Sequence, residues 1–267
     1  MTLERFRLDG KVALVTGAGR GLGAAIARTY AEAGASVAVV ARTESDLEAV
    51  AADVTASGGG ALTLPADVNE LAVLPDLVER TVGELGRLDI VVNNAGGTLP
   101  GPFLDTSAVS FERALHFNVT TAFELTRVAV PYLLRNKGAS VINITSAMGR
   151  LRDRGYVAYG TAKAALVHMT RLLAADLAPR IRVNAIAPGS IMTSALEVVL
   201  TMPELMTEMI AKTPLGRIGD PDDVAACALY LASPAASFVT GKVIDVDGGI
   251  ETPNLDMRLP DLTPDEP

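Results

Sequence analysis

Val12-Ala13-Leu14-Val15-Thr16-Gly17-Ala18-Gly19-Arg20-Gly21-Leu22-Gly23 is the stretch that decides the fold. A short apolar strand runs straight into a glycine-rich turn, and the helical pattern Ala24–Ala33 follows at once. Glycines at these places permit a tight turn, close backbone approach to a pyrophosphate, and close packing of the helix. The helix N-terminus favours the negative charge. A glycine string alone is a weak signal; its position between an N-terminal strand and a helix makes it a stronger one.

Working outward, short β-branched runs alternate with longer amphipathic segments. Val12–Thr16, Ser36–Ala41, Ala61–Pro65, Asp89–Asn93, Ser140–Thr145, Arg182–Ile186 and Val243–Val246 read as strands. Helical patterns cover 21–33, 44–57, 70–85, 108–136, 156–178 and 221–232. Strand and helix in alternation predict an α/β fold with a seven-stranded parallel sheet covered on both faces. Right-handed crossovers make it the doubly wound Rossmann arrangement, with ligands at the carboxyl ends of the strands. Gly58-Gly59-Gly60 is a turn rather than a linker, so the whole of 1–267 is expected to form a single domain.

The net charge of −8 comes without a run of Lys or Arg that would track a phosphate backbone, which argues against nucleic acid as a partner. No stretch reaches the ~18 consecutive apolar residues of a membrane span, and the N-terminal residues lack a signal-peptide core. A cytoplasmic protein is expected. A single cysteine excludes an intrachain disulfide and any multi-cysteine metal site. Cys227 reads as a small core residue, His116 and His168 have no second ligand at suitable spacing, and no metal is expected.

Tyr159-Gly160-Thr161-Ala162-Lys163 carries the chemistry. A helix sets Tyr159 and Lys163 one turn apart on the same face. A positive charge at ~4 Å, at an effective dielectric of ~20, is worth ~4 kcal/mol. Spent on the tyrosinate, that would bring a phenol of pKa about 10 down by roughly three units. The expectation is a phenol acidified by Lys163 and able to trade protons with an alcohol or ketone.

Taken together these residues resemble the short-chain dehydrogenase/reductase family, in its single-domain branch of about 250 residues. The motifs stand in order over roughly residues 8 to 250: the glycine turn at 16–23, Asp67-Val68, Asn93-Asn94-Ala95-Gly96, Asn118, Ser146, Tyr159 and Lys163, Pro188-Gly189, and Asp247-Gly248-Gly249. The resemblance implies an NAD(P)-dependent oxidoreductase acting on a secondary alcohol or its ketone. Tyr159 would be the general acid and base. Lys163 would stabilise its phenolate and hold the nicotinamide ribose, Ser146 would polarise the substrate oxygen, and Asn118 would support a water in a proton relay.

The remaining motifs read as a cofactor cradle. Gly17, Gly19, Arg20, Gly21, Leu22 and Gly23 form the turn. Asp67 would bond the adenine amino group, with Val68 on the ring. Asn94 belongs to the cofactor-binding set, Ala95 and Gly96 would let the backbone pass beside the ribose, and Asn93 would act mainly in the sheet. Pro188, Gly189, Ile191 and Thr193 match the family's nicotinamide loop. NAD users place an acid at the end of the second strand; here Ala41 stands there, followed by Arg42, with Arg20 in the turn. Two guanidiniums suit a 2′-phosphate, which favours NADP over NAD. Glu44 is the alternative acceptor for a ribose hydroxyl.

Residues 190–216 are expected to fold over the nicotinamide as a lid. Its Met192, Met202, Met206 and Met209 suit an apolar substrate of irregular shape or simply pack the lid. Steroid, terpenoid, acyl-thioester and polyol substrates stay open. An enoyl reductase is an alternative, although that branch spaces its Tyr and Lys more widely than four residues. A non-catalytic dinucleotide-sensing regulator is another, and its mark would be a damaged tetrad. The resemblance also implies a homotetramer built on 108–136, 156–178 and 221–246. The tail 251–267 is rich in proline and acid, yet Leu255, Met257, Leu259 and Leu262 predict that 251–262 lie ordered across a subunit surface near a substrate entrance, that of a neighbouring chain being the alternative to its own.

Overall fold

The structure, a computed structural model, describes residues 2–193, 196 and 202–263. Seven strands, β1 (Val12–Thr16), β2 (Ser36–Ala41), β3 (Ala61–Pro65), β4 (Ile90–Asn93), β5 (Ala139–Ile144), β6 (Ile181–Pro188) and β7 (Val243–Val246), form one sheet. Their order is β3-β2-β1-β4-β5-β6-β7 and every pairing is parallel. Every residue of β1, β4 and β5 is buried, as near-continuous apolar strands with helices on both faces must be.

The helices are α1 (Gly21–Glu32), α2 (Glu44–Ala56), α3 (Leu74–Leu85), α4 (Ala108–Leu115), α5 (Thr121–Leu133), α6 (Val157–Leu177), α7 (Pro203–Ala211) and α8 (Pro221–Ala232). On one face α1, α2 and α8 bury Ile26, Tyr30, Leu47, Val224 and Leu231 against the sheet. On the other, α3, α5 and α6 bury Leu74, Leu77, Leu125, Leu133 and Ala174. The strand order reverses between β1 and β4, and the crevice of a doubly wound sheet opens there, beyond the carboxyl ends.

Several expected boundaries shift. The segment 70–85 opens as a short 3-10 turn, Leu71–Val73, and α3 begins at Leu74 with Pro75 in its first turn, where a missing N–H costs nothing. The long helix expected over 108–136 is broken by a π turn at His116–Thr120, between α4 and α5. Within 190–216, α7 is a helix that the sequence reading did not single out. Its Pro203 is the first helical residue, a start signal that was there to be read. Residues 194, 195, 197–201 of that segment, and 264–267 of the tail, lie outside the described residues.

Candidate active site

The glycine turn is held from behind by the end of β4. Thr16 Oγ1 donates to Val92 O at 3.2 Å and accepts from the N–H groups of Asn94 (3.1 Å) and Ala95 (3.0 Å). Asn94 Nδ2 donates to the carbonyls of Thr16 (2.9 Å) and Gly17 (3.0 Å). The Asn94 side-chain amide is thus committed to the turn and acts by holding its shape. Gly17 has φ +62°, which favours glycine, and a Cβ on Gly23 would overlap the Gly17 carbonyl. Helix α1 then starts with neither a side-chain cap nor an acid in its first turn, leaving its orphan N–H groups to an anion. These features fit a dinucleotide pyrophosphate.

Around this turn stand the groups expected at the adenosine end. A Cβ on Gly19 would lie 3.3 Å from Ala41 Cβ and 3.0 Å from Asp46 Cβ. Asp46 is therefore an acid lying against the turn; no local pattern distinguishes it from Glu44, because both sit in the first turn of α2. Arg20 and Arg42 are exposed, and neither has an ion-pair partner among the described residues. Asp67 Oδ1 accepts from Asn69 N (3.0 Å) and Asn69 Nδ2 (2.9 Å), which fixes its carboxylate, and Val68 is buried beside it.

Four side chains expected to do chemistry gather at the carboxyl ends of β4 and β5. Ser146 follows β5 and caps the turn Ala147–Gly149, its Oγ accepting from Met148 N at 3.1 Å. The Ser146 hydroxyl stands near enough to the Tyr159 phenol to favour its ionised form. Lys163 is buried, its Nζ donating to Ile144 O at 3.0 Å and lying 5.6 Å from the centroid of the Tyr159 ring. Asn118 sits in the π turn, a helix irregularity frequent at functional sites. Its Oδ1 accepts from Gly97 N at 2.8 Å and its Nδ2 donates to Ala114 O at 2.8 Å. Gly96 connects them: a Cβ there would be 2.7 Å from Asn118 Oδ1 and 3.1 Å from Lys163 Nζ, so the place its hydrogen leaves open touches both groups.

The electrostatics correct one expectation. Burial pushes the Tyr159 phenol above its ordinary pKa, offset only in part by the neighbouring Ser146 hydroxyl. The polypeptide alone does not acidify it. Lys163 is itself desolvated, which lowers its pKa to about 8, and its ammonium is aimed at a backbone carbonyl rather than at the phenol oxygen.

Two residues that the sequence reading passed over set this geometry. A Cβ on Gly149 would meet the Lys163 carbonyl carbon at 3.1 Å and Ala164 N at 3.2 Å. One on Gly160 would meet Met148 O at 3.0 Å. Backbone therefore packs on backbone between the Ser146 turn and α6. The available signal was Gly160 itself, since a glycine inside a helix costs about 1 kcal/mol and needs a reason.

On the far wall, Pro188 ends β6 and Gly189 N donates to Val246 O at 3.0 Å. Ile191 forms an isolated parallel bridge with Gly219, and Met192 N donates to Gly219 O at 2.8 Å. The Thr193 methyl faces Gly21 of the glycine turn, 3.5 Å from where a Cβ would stand. The expected residues from both halves of the sheet thus line one crevice. Among the described residues there is no group of three or more His, Cys, Asp or Glu that could hold a metal. Burial lifts the Cys227 thiol to about 11, in keeping with a core residue.

Comparison with known proteins agrees with this architecture. A family model described as Enoyl-(Acyl carrier protein) reductase matches residues 17–251. An uncharacterized oxidoreductase of Mycobacterium tuberculosis is 58% identical over 263 residues, covering 98% of this chain and 100% of the relative. The 7alpha-hydroxysteroid dehydrogenase of Escherichia coli is 42% identical over 252 residues, covering 92% and 96%. A solved 7alpha-hydroxysteroid dehydrogenase, complexed with NADH and 7-oxo glycochenodeoxycholic acid, superposes with a TM-score of 0.89 at 41% identity, over 92% of this chain and 96% of the other. With a seven-stranded doubly wound sheet and likeness along nearly its whole length, the chain belongs to the short-chain dehydrogenase/reductase family of oxidoreductases.

Proposed function

We propose that the protein transfers a hydride between a nicotinamide cofactor, preferentially NADP(H), and a secondary alcohol or ketone on a bulky apolar substrate. The observation that carries this reading is the convergence of Ser146, Tyr159 and Lys163 at the end of β5. There the Ser146 hydroxyl neighbours the phenol and the Lys163 ammonium lies over the Tyr159 ring, 5.6 Å from its centroid, with Asn118 and Lys163 meeting at Gly96.

The cofactor, when bound, supplies or takes up the hydride. The chain provides the rest. With its pKa raised by burial, Tyr159 is protonated at neutral pH and is a donor suited to the oxygen of a ketone undergoing reduction. Ser146 polarises that oxygen and holds it within reach of the phenol. Lys163, with a pKa near 8, is mostly cationic at neutral pH yet gives up a proton readily, so it can recharge the phenol. Asn118, fixed by Gly97 and Ala114, supports the relay toward solvent. Gly17, Gly19, Gly21, Leu22, Gly23, Asp67, Val68, Ala95, Gly96, Pro188, Gly189, Ile191 and Thr193 would hold the cofactor.

Ala41 in place of an acid, with two unpaired arginines beside it, supports NADP. The Asp46 carboxylate near Gly19 and the relative complexed with NADH weigh toward NAD. That relative's fused-ring ligand supports a steroid-like alicyclic substrate here. The description of the matching family model favours enoyl reduction as a second reading, against which stands the four-residue spacing of Tyr159 and Lys163. No helix among the described residues is long and apolar enough to cross a membrane, and a cytoplasmic homotetramer is the assembly we favour. Exposed Val109, Phe123, Val157 and Leu172 on α4, α5 and α6 support that assembly.

A panel of alcohols, ketones and enoyl thioesters, including 7-oxo and 7-hydroxy bile acids, followed by the absorbance of reduced NADP and NAD, tests the reading. Turnover of a ketone or alcohol supports it. Turnover confined to enoyl thioesters would replace it with the second reading.

A further inference from the structure

Both ends of the segment 190–216 rest on one stretch of backbone. At its start, a Cβ on Gly189 would stand 2.7 Å from Asp247 Cα. At its end, Leu215 N donates to Gly248 O at 3.1 Å, and a Cβ on Gly248 would stand 2.6 Å from the Thr213 methyl. Gly249 leaves the same kind of room for Pro214, 3.3 Å from where its Cβ would be. The chain then returns over both ends at Asn254. Its Oδ1 accepts from Ser190 Oγ at 2.8 Å and its Nδ2 donates to Thr213 Oγ1 at 2.9 Å. The Thr213 hydroxyl in turn donates to Met209 O at 2.8 Å. Hydrogen bonds therefore run from Ser190 through Asn254 and Thr213 into the last turn of α7, and Asn254 is 4% exposed.

Beyond Asn254 the tail continues along its own chain. Arg258 approaches Glu208 of α7 at 3.8 Å, Arg154 donates to Leu259 O at 3.1 Å, and Leu259 packs on Gly155. The Arg258–Glu208 ion pair is exposed and contributes little. The buried amide differs, since removing it takes the acceptor from the Ser190 hydroxyl and a donor from that of Thr213.

We propose that Asn254 is a positioning residue for the substrate side of the site: by joining Ser190 to Thr213 it fixes the end of α7 against the loop after β6, and so sets substrate affinity without touching the cofactor. The cofactor side is secured separately, by the backbone bonds of Ser190 and Met192 to Gly219. The proposal rests on the oxidoreductase reading of the crevice, with substrate bounded by the start of the loop after β6 and by α7.

The test compares the full-length protein with Asn254→Ala, Asn254→Asp, Ser190→Ala and the double variant Asn254→Ala/Ser190→Ala. Amide hydrogen exchange over 203–216, cofactor titration, and KM and kcat on the substrate found in the panel are the readouts. Asn254→Ala should speed exchange at 209–216 and raise KM, each by about tenfold, with kcat and cofactor Kd within about twofold. Asn254→Asp, which still accepts from Ser190 but cannot donate to Thr213, should fall between. Ser190→Ala should add nothing once Asn254 is gone. Unchanged exchange at 209–216 in Asn254→Ala, effects of Ser190→Ala and Asn254→Ala that multiply, or Asn254→Asp indistinguishable from the parent in exchange would each overturn the proposal. Exchange and cofactor titration need no substrate, so a protein that turns over nothing in the panel counts against the oxidoreductase reading, while exchange still decides the role of Asn254.

Discussion

Lys163 Nζ donates to the carbonyl oxygen of Ile144 at 3.0 Å, and this bond holds a cation in the protein interior at the end of β5. Desolvation lowers the Lys163 pKa from 10.5 to about 8, so its charged form burdens the folded state. The burden, on the order of 3 kcal/mol, is fully present below pH 8. It shrinks as pH rises toward the unfolded pKa, because the unfolded chain keeps the proton longer. Lys163→Met should therefore melt higher than the parent at pH 7, lose this advantage by about pH 10.5, and keep only a small residual activity. Thermal melts from pH 6 to 10 check the sign.

The same titration bears on turnover. Below pH 8 Lys163 is cationic and supports proton return to Tyr159; above it the charge is lost. Ketone reduction, measured as kcat at saturating cofactor, should fall as pH rises through about 8. The fall should be absent in the residual activity of Lys163→Met.

Gly160→Ala separates stability from positioning. The added methyl gains about 1 kcal/mol of helix propensity but meets Met148 O at 3.0 Å, so the Ser146 turn must shift by a few tenths of an ångström. Melting temperature should change little while kcat drops about tenfold, since small displacements of reacting groups carry large rate penalties. Gly149→Ala, which presses on the α6 backbone at Lys163, should do the same.

Cofactor choice turns on Arg42. Arg42→Asp should move preference from NADP toward NAD by placing a repulsive charge at the 2′-phosphate and an acceptor at the 2′-hydroxyl. Arg20→Ala should weaken NADP more than NAD, and Asp46→Asn should strengthen NADP. Titrations of both cofactors read all three. A parent protein that binds NAD more tightly than NADP would contradict the assignment.

The inner sheet was legible because its strands are buried on both faces, and hydrophobic runs such as Val12–Thr16 and Ser36–Ala41 mark themselves; the edge strand Val243–Val246 is only partly buried and was marked by its β-branched residues. The break at His116–Thr120 was not, since a π turn keeps a helical pattern while changing where Asn118 points. The gathering of Ser146, Tyr159 and Lys163 followed from motif order. The direction of the Tyr159 pKa did not, because spacing gives the distance between two residues on a helix but neither their desolvation nor the carbonyl that Lys163 addresses. Asn254 offered no local signal at all: its partners lie 64 and 41 positions away in sequence.

The central claim is that the Tyr159 phenol delivers the proton to the substrate oxygen. Its most direct test is single-turnover reduction of the best ketone by Tyr159→Phe, with cofactor affinity measured on the same sample. The account predicts a loss of about a hundredfold or more in rate, as for removal of a general acid, with cofactor Kd within about twofold because the ring still packs beside Tyr156. Turnover by Tyr159→Phe within a few-fold of the parent would contradict it.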